Sequence, residues 1–271
     1  MAPSDPSADL EPGRGFQPEE GGITTDTLLR GRVTLLQPVH GFRSSLDPVL
    51  LAAFVRPPFG RFVDIGCGTG ALAFLLAATD DRATGVGVEI QPRLASLARA
   101  GAARNSFGSR IQILEADVRT AVGRAPLDRG GFSLVATNPP YRPVSDGLPS
   151  PDPERARANH EVTLRLDDWL DAAVALVRPR GRLAVVFPAE RIDALLSGLD
   201  DRDLAPSRMR LVHPRQDRPA TRVLLEAVAG MDARSAVPIE PPLVVHEVGG
   251  GFTPEVKRMV GEPFAGGDDR G

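Results

Sequence analysis

The sequence predicts a single doubly wound α/β fold: a mostly parallel sheet of seven strands, helices on both faces, and a C-terminal antiparallel hairpin. Three observations predict it. Short apolar runs alternate with helix-length stretches from residue 61 onward. A glycine-rich turn, Gly66-Cys67-Gly68-Thr69-Gly70, joins the first such run to the helix after it. The composition, 42% hydrophobic and 25% charged over 271 residues, suffices for one large core.

The elements follow in order. Leu28–Gln37 alternates before Pro38, which suggests a short strand or hairpin. Asp47-Pro48 opens a helix, with Asp47 as N-cap and proline in the first turn, running through Val49–Val55 until Pro57-Pro58 stop it. Arg61–Ile65 reads as a strand, Ala71–Thr79 as a helix, Gly85–Ile90 as a strand and Pro92–Asn105 as a helix. Strands are expected at Ile111–Ala116, Phe132–Thr137 and Arg182–Phe187. Asp167–Val177 is an amphipathic helix capped by Asp167, with Trp169 on its apolar face, and Arg191–Leu199 is a further helix. Met209–His213 and Arg222–Val228 form the terminal hairpin.

Residues 1–22 form an acidic leader and 231–271 a C-terminal extension with a tail. Both ends are rich in proline and glycine, and disorder is expected there. The net charge is −3, of which the leader holds −4 and residues 262–271 hold −2, so the remainder is +3. A mildly basic core permits a nucleic-acid partner without demanding one. No apolar run approaches a membrane span, and no basic-then-apolar signal opens the chain. Cys67 is the only cysteine, too few for a disulfide framework or a zinc site. A cytoplasmic, metal-free monomer is expected.

Asp64 precedes the glycine turn, whose spacing is one residue shorter than the dinucleotide fingerprint. Glu89 ends the next strand, where an acid hydrogen-bonds ribose hydroxyls. Asp117 ends the third strand, placed to accept from an adenine amino group. Three acids at successive strand ends around such a loop fit an amino group, a ribose and an adenine. S-adenosyl-L-methionine therefore fits better than NAD. The competing reading, that an acid merely caps its following helix, stays open for any one of the three.

The strand Phe132–Thr137 ends in Asn138-Pro139-Pro140-Tyr141. Two prolines forbid both helix and continued sheet pairing, so the backbone after Asn138 is stiff and splayed. Asn138 Oδ1 and the Pro139 carbonyl can accept hydrogen bonds from an exocyclic amine while Tyr141, the only tyrosine, stacks on its ring. Residues 142–158, with four prolines, are expected to form a lid.

Asp64–Gly70, Glu89, Asp117 and Asn138–Tyr141 resemble the motifs of class I S-adenosylmethionine-dependent methyltransferases that methylate amines. Leu28–Gly31, Gln37–Arg43, Ser45–Asp47, Asn159-His160-Glu161 and Pro219–Glu226 are similar to the tRNA1(Val) (adenine-37) N6-methyltransferase family over about residues 24–260. Phe42 departs from that family, which often carries tyrosine there. The resemblance implies a Rossmann-like methyltransferase fold, with a cofactor-covering segment at 23–58 and a catalytic core at 59–230. It implies methyl transfer from S-adenosyl-L-methionine to the N6 amine of an adenine in RNA, with tRNA as the expected partner. The cofactor residues it implies are Arg43, Asp64, Gly66, Gly68, Gly70, Glu89, Asp117, Val118 and Asn138, with Arg43 facing the methionine carboxylate. The catalytic residues it implies are Asn138, Pro139 and Tyr141, while His160 is expected to be structural.

Three rivals are set beside it. Glutamine-N5 protein methyltransferases share Asn-Pro-Pro-Tyr but carry a longer helical domain before the glycine loop than 23–58 provides. Guanine-N2 RNA methyltransferases usually duplicate their domain, and no repeat occurs here. A non-enzymatic cofactor-binding module would have no need of both halves of the site. An arginine crowd at Arg202, Arg208, Arg210, Arg215, Arg218 and Arg222 suits either an RNA-backbone footing or a solvated face.

Overall fold

The computed structural model of the protein describes residues 22–139, 164–231 and 237–261. The leader before Gly22, Pro140, Tyr141, the expected lid, Asn159-His160-Glu161 and the tail after Gly261 lie outside the described residues.

Strands β1 (Ile23–Leu28) and β2 (Val33–Pro38) pair antiparallel as a separate hairpin. The alternating run of Leu28–Gln37 is therefore one arm plus a turn, in which Leu29, Arg30 and Gly31 take positive φ. The main sheet contains β3 (Arg61–Ile65), β4 (Thr84–Glu89), β5 (Ile111–Glu115), β6 (Phe132–Thr137), β7 (Val177–Pro188), β8 (Leu204–His213), β9 (Arg222–Ala229) and β10 (Ile239–Val244). Their order is β10-β8-β9-β7-β6-β3-β4-β5, and β9 runs antiparallel to both β7 and β8. From β3 the sheet grows both ways, so a crevice opens between the C-terminal ends of β3 and β6, where ligands bind in such folds.

All seven expected strands are present, and β10 is an eighth. Its Pro241-Pro242 pair hid it, because proline cannot donate to a ladder. The strand survives because it lies at the sheet edge and its pairing to β8 shifts register between Glu240 and Leu243. Likewise β8 extends back to Leu204 past Pro206, through an irregularity between Pro206 and Arg208.

Helices α1 (Asp47–Phe54), α2 (Ala71–Thr79) and α3 (Pro92–Arg104) pack with the hairpin over one sheet face. Helix α2 is apolar on every side because it is enclosed by sheet, hairpin and α1. The opposite face carries α4 (Val118–Ala121), α5 (Leu166–Leu176) and α6 (Ile192–Asp200), with Trp169 tilted against Phe187 at 6.3 Å. A last helix, α7 (Pro254–Val260), packs on α1.

Two expected caps are corrected. Asp47 does not cap α1: Leu46 is the N-cap, and the Asp47 carboxylate pairs with Arg222 Nε at 3.2 Å instead. Asp167 does not cap α5 either. Arg165 is the N-cap, its N–H donates to Asp168 Oδ2 at 3.0 Å, and Asp167 is drawn off to Arg202.

Glu226, buried on β9, joins the antiparallel part of the sheet. It accepts from Arg182 Nη1 at 3.1 Å and from Arg208 Nη2 at 2.5 Å. Arg208 also reaches Glu240 on β10 at 3.0 Å and lies 3.9 Å over the Phe54 ring. Removing one partner of such a set leaves uncompensated charge in a poorly solvated place, at a cost of about 3–5 kcal/mol. Glu226→Ala is expected to lose stability on that scale in urea unfolding, whereas a parental midpoint would show the network to be solvent-screened.

Candidate functional site

At the C-terminal ends of β3 to β6 lies a cavity of about 420 Å³, within the range of small-molecule sites. Each wall has a local cause. β3 delivers Asp64, and the turn after it reverses over the start of α2. Gly66 there takes φ +71 with open space where a Cβ would lie, so the backbone itself faces the cavity. Gly68, at φ +56, has the Phe42 ring above it, and an added Cβ would stand 2.8 Å from Phe42 Cε1. Gly70 is the N-cap of α2 against the Phe74 ring and does not line the cavity.

Two buried carboxylates hold this turn. Asp64 Oδ2 accepts from the Ala73 N–H at 3.1 Å and so satisfies a free donor in the first turn of α2. Glu89 accepts from the Gly68 N–H at 2.9 Å and from the Gln91 N–H at 2.8 Å. Burial pushes the Asp64 carboxyl up from 3.8 to about 7; the Ala73 hydrogen bond opposes that rise and the Glu89 charge adds to it. Burial likewise raises the Cys67 thiol, helped by the charges of Asp64 and Glu89, which keeps it neutral and inert.

Asp117 fulfils the capping alternative while still lining the cavity. It accepts from the Arg119 N–H at 3.0 Å as N-cap of α4, and the hydrogen bonds from Arg119 hold its carboxyl below the ordinary value. Val118, buried, stands beside it in the wall. Asn138 and Pro139 follow β6 on the opposite side, lining the same space. Thr137 Oγ1 donates to the Ile65 carbonyl at 2.9 Å, which ties the end of β6 to the end of β3.

Arg43 also lines the cavity, but its guanidinium is engaged by the hairpin. It donates to Thr24 Oγ1 at 2.7 Å, to the Pro38 carbonyl at 3.0 Å and to Asp26 Oδ2 at 2.5 Å. The buried Gln37 carboxamide bridges Asp26 and the Ser44 N–H. The Gln37–Arg43 segment is thus a brace that sets Phe42 on the glycine turn.

Of the residues singled out in the sequence, Arg43, Asp64, Gly66, Gly68, Glu89, Asp117, Val118, Asn138 and Pro139 meet in one cavity. Sequence reasoning missed Thr69, Thr137 and the Asp47–Arg222 pair. The Thr69 hydroxyl is the one buried side-chain N or O atom among the described residues without a hydrogen-bond partner, and Thr69 lies in this wall. A polar residue inside an otherwise small apolar turn was its only signal. Among the described residues no cluster of His, Cys, Asp and Glu suits a metal ion.

Residues 46–148 match the Methyltransferase small domain family. A tRNA1(Val) (adenine(37)-N6)-methyltransferase of Porphyromonas gingivalis is 33% identical over 247 residues, covering 89% of this chain and 96% of that protein. Another, from Dickeya chrysanthemi, is 35% identical over 187 residues, covering 68% of this chain and 72% of that protein. Among solved structures, one titled a predicted O-methyltransferase from Agrobacterium tumefaciens is 28% identical, with TM-score 0.63, covering 79% of this chain and 94% of that one.

The raised Asp64 value sets a pH dependence. Because the folded chain holds this proton more tightly than the unfolded chain, its stabilising contribution is full below 3.8 and is lost as pH rises through about 7. A cationic ligand beside Asp64 needs the ionised form, so binding below pH 7 must release a proton. Calorimetry is expected to show cofactor affinity rising with pH, by at most about tenfold per unit, and levelling above 7. Asp64→Asn should flatten that rise; a flat profile in the parent protein would exclude the linkage.

Proposed function

Because the chain belongs to the tRNA1(Val) (adenine(37)-N6)-methyltransferase family, we propose that it methylates the exocyclic N6 amine of an adenine in tRNA, using S-adenosyl-L-methionine as donor. The carrying observation is that Asn138 and Pro139, at the end of β6, share one cavity with Asp64, Glu89 and Asp117. Acceptors for an amine and acceptors for a nucleoside cofactor thus face the same space. Adenine 37 of tRNA1(Val), the target in the relatives' names, is the proposed site.

The wall fits the cofactor chemically. Asp64 suits its ammonium group, Glu89 its ribose hydroxyls and Asp117 with Val118 its adenine. The unpartnered Thr69 hydroxyl in the wall would be available to hydrogen-bond it. Gly66 lets a ligand lie against the backbone. Phe42 and Arg43 close the cavity from the hairpin side, in keeping with a covering segment at 23–58 over a core at 59–230. When bound, S-adenosyl-L-methionine supplies a methyl group on a positively charged sulfur.

The protein's own part is to hold and orient the amine. Its lone pair is delocalised into the adenine ring and is a poor nucleophile until the nitrogen pyramidalises. Asn138 Oδ1 and the Pro139 carbonyl accept its two N–H groups and favour that geometry. Orientation of this kind can supply roughly 7–11 kcal/mol of a barrier. The N–H becomes acidic once the nitrogen is alkylated, so neither acceptor need be a strong base. Tyr141, outside the described residues, is proposed to stack on the base, which must first leave its own stack. The enzyme is proposed to act on tRNA as a cytoplasmic monomer; among the described residues no helix is long and apolar enough to cross a membrane.

Incubation with methyl-labelled cofactor and total RNA, followed by digestion to nucleosides, tests the reading. Label is expected in N6-methyladenosine; label confined to protein would favour glutamine methylation, and label in N2-methylguanosine the guanine alternative. Asn138→Ala should lower transfer by about 100-fold or more and leave cofactor affinity largely intact. Undiminished transfer by that variant would remove the amine-holding step.

A further inference from the structure

A second concavity of about 770 Å³ adjoins the first, and Glu190 and Arg222 line both. Its wall is the turn between β8 and β9, Pro214 to Thr221, and His246 lies at its border. The arginine crowd of this region divides sharply in the structure. Arg202 is held by Asp167 and Asp171, Arg208 by Glu226 and Glu240, and Arg210 by Glu255. Arg215 and Arg218 differ: both are exposed in the groove, and among the described residues neither guanidinium takes a hydrogen bond or an ion pair. Asp217, between them in sequence, does not line the groove.

The turn that carries them is closed by its own hydrogen bonds. The Arg218 N–H donates to the Arg215 carbonyl at 3.1 Å, His213 Nδ1 lies 2.8 Å from the Arg218 carbonyl, and the Thr221 N–H donates to the Val212 carbonyl at 2.9 Å. Its backbone is therefore ordered before any partner arrives. His246 is backed by Phe252, with ring centres 5.3 Å apart and planes 21° apart, and its Nδ1 lies 3.2 Å from the Gly251 carbonyl. That contact suits an Nδ1–H donor and fixes the ring plane at the groove.

We propose that this groove is the track for the tRNA strand flanking the target adenine, with Arg215 and Arg218 on backbone phosphates and His246 stacking on a neighbouring base. It rests on the tRNA reading above. Two unpaired guanidiniums meet phosphates as general positioning contacts, and a fixed aromatic face accepts any base. Continuity with the cofactor cavity through Glu190 and Arg222 lets the strand pass from the groove to Asn138. Among the described residues Glu190 is the one carboxylate lining the groove; it stands at the shared rim and leaves the far turn to the phosphates.

The test uses the full chain, unfractionated tRNA and methyl-labelled cofactor. For Arg215→Ala/Arg218→Ala, kcat/KM for tRNA is expected to fall about 10- to 100-fold near physiological salt. The slope of log affinity against log salt should become shallower by roughly 1 to 2, with cofactor affinity unchanged. His246→Ala should weaken tRNA binding and His246→Phe restore it. Parental kcat/KM and salt slope in the double variant would overturn the track, as would an equal loss of cofactor affinity, which would mark damage to the cavity itself. The parent protein separates the two levels. If it labels tRNA and the variants match it, the track alone falls; if it labels protein and no tRNA, the substrate reading falls and the track with it.

Discussion

The carboxylates of Asp64 and Glu89, buried at the ends of adjacent parallel strands, hold the backbone on which every other part of the site depends. One caps α2 through Ala73, and the other fixes Gly68. The desolvation of Asp64 and its repulsion by Glu89 are costs, visible in the raised Asp64 value. A cationic, hydroxyl-rich ligand offsets both. The loop is thus ordered by charges that gain most when the ligand arrives, an arrangement that favours binding over resting stability.

Around this centre the chain builds two clamps from distant sequence. Gln37, Asp26 and Arg43 lock the hairpin so that Phe42 covers Gly68. Asp47, at the start of α1, reaches Arg222 on β9 across the cavity wall. The N-terminal segment is thereby tied both to the glycine turn and to the antiparallel part of the sheet. Midway along β9, Glu226 ties β7, β8 and, through Arg208, β10. Charged side chains at the seams of the fold, rather than isolated surface pairs, join the parallel and antiparallel halves.

Much of the fold was legible because β3, β4 and β6 are short runs buried on both faces, β5 alternates as an edge strand does, and α2 and α3 lie between strong turn signals. The glycine turn and its three acids were legible for the same reason: strand ends are easy to locate when strands are. What failed were judgements that depend on tertiary context. Pro241-Pro242 reads as a strand breaker, yet an edge strand tolerates it. Asp47 and Asp167 read as caps by local rule, yet each is drawn to an arginine from another element. Arg43 carried the family's segment, but its hairpin partners Asp26 and Thr24 could not be read from spacing. Arg215 and Arg218 became separable from their neighbours only once the structure paired off Arg202, Arg208 and Arg210.

The proposed amine methylation rests on an acceptor pair, Asn138 and the Pro139 carbonyl, at the end of β6, set across a crevice from a carboxylate-held glycine turn. A crystal structure of the protein with S-adenosylhomocysteine and an anticodon stem-loop addresses that geometry without intermediaries. The expected density places the adenine N6 within hydrogen-bond reach of Asn138 Oδ1 and the Pro139 carbonyl, with its open side toward the cofactor sulfur. An adenine bound elsewhere, or a base whose ring nitrogen rather than its amine faces that sulfur, would contradict it.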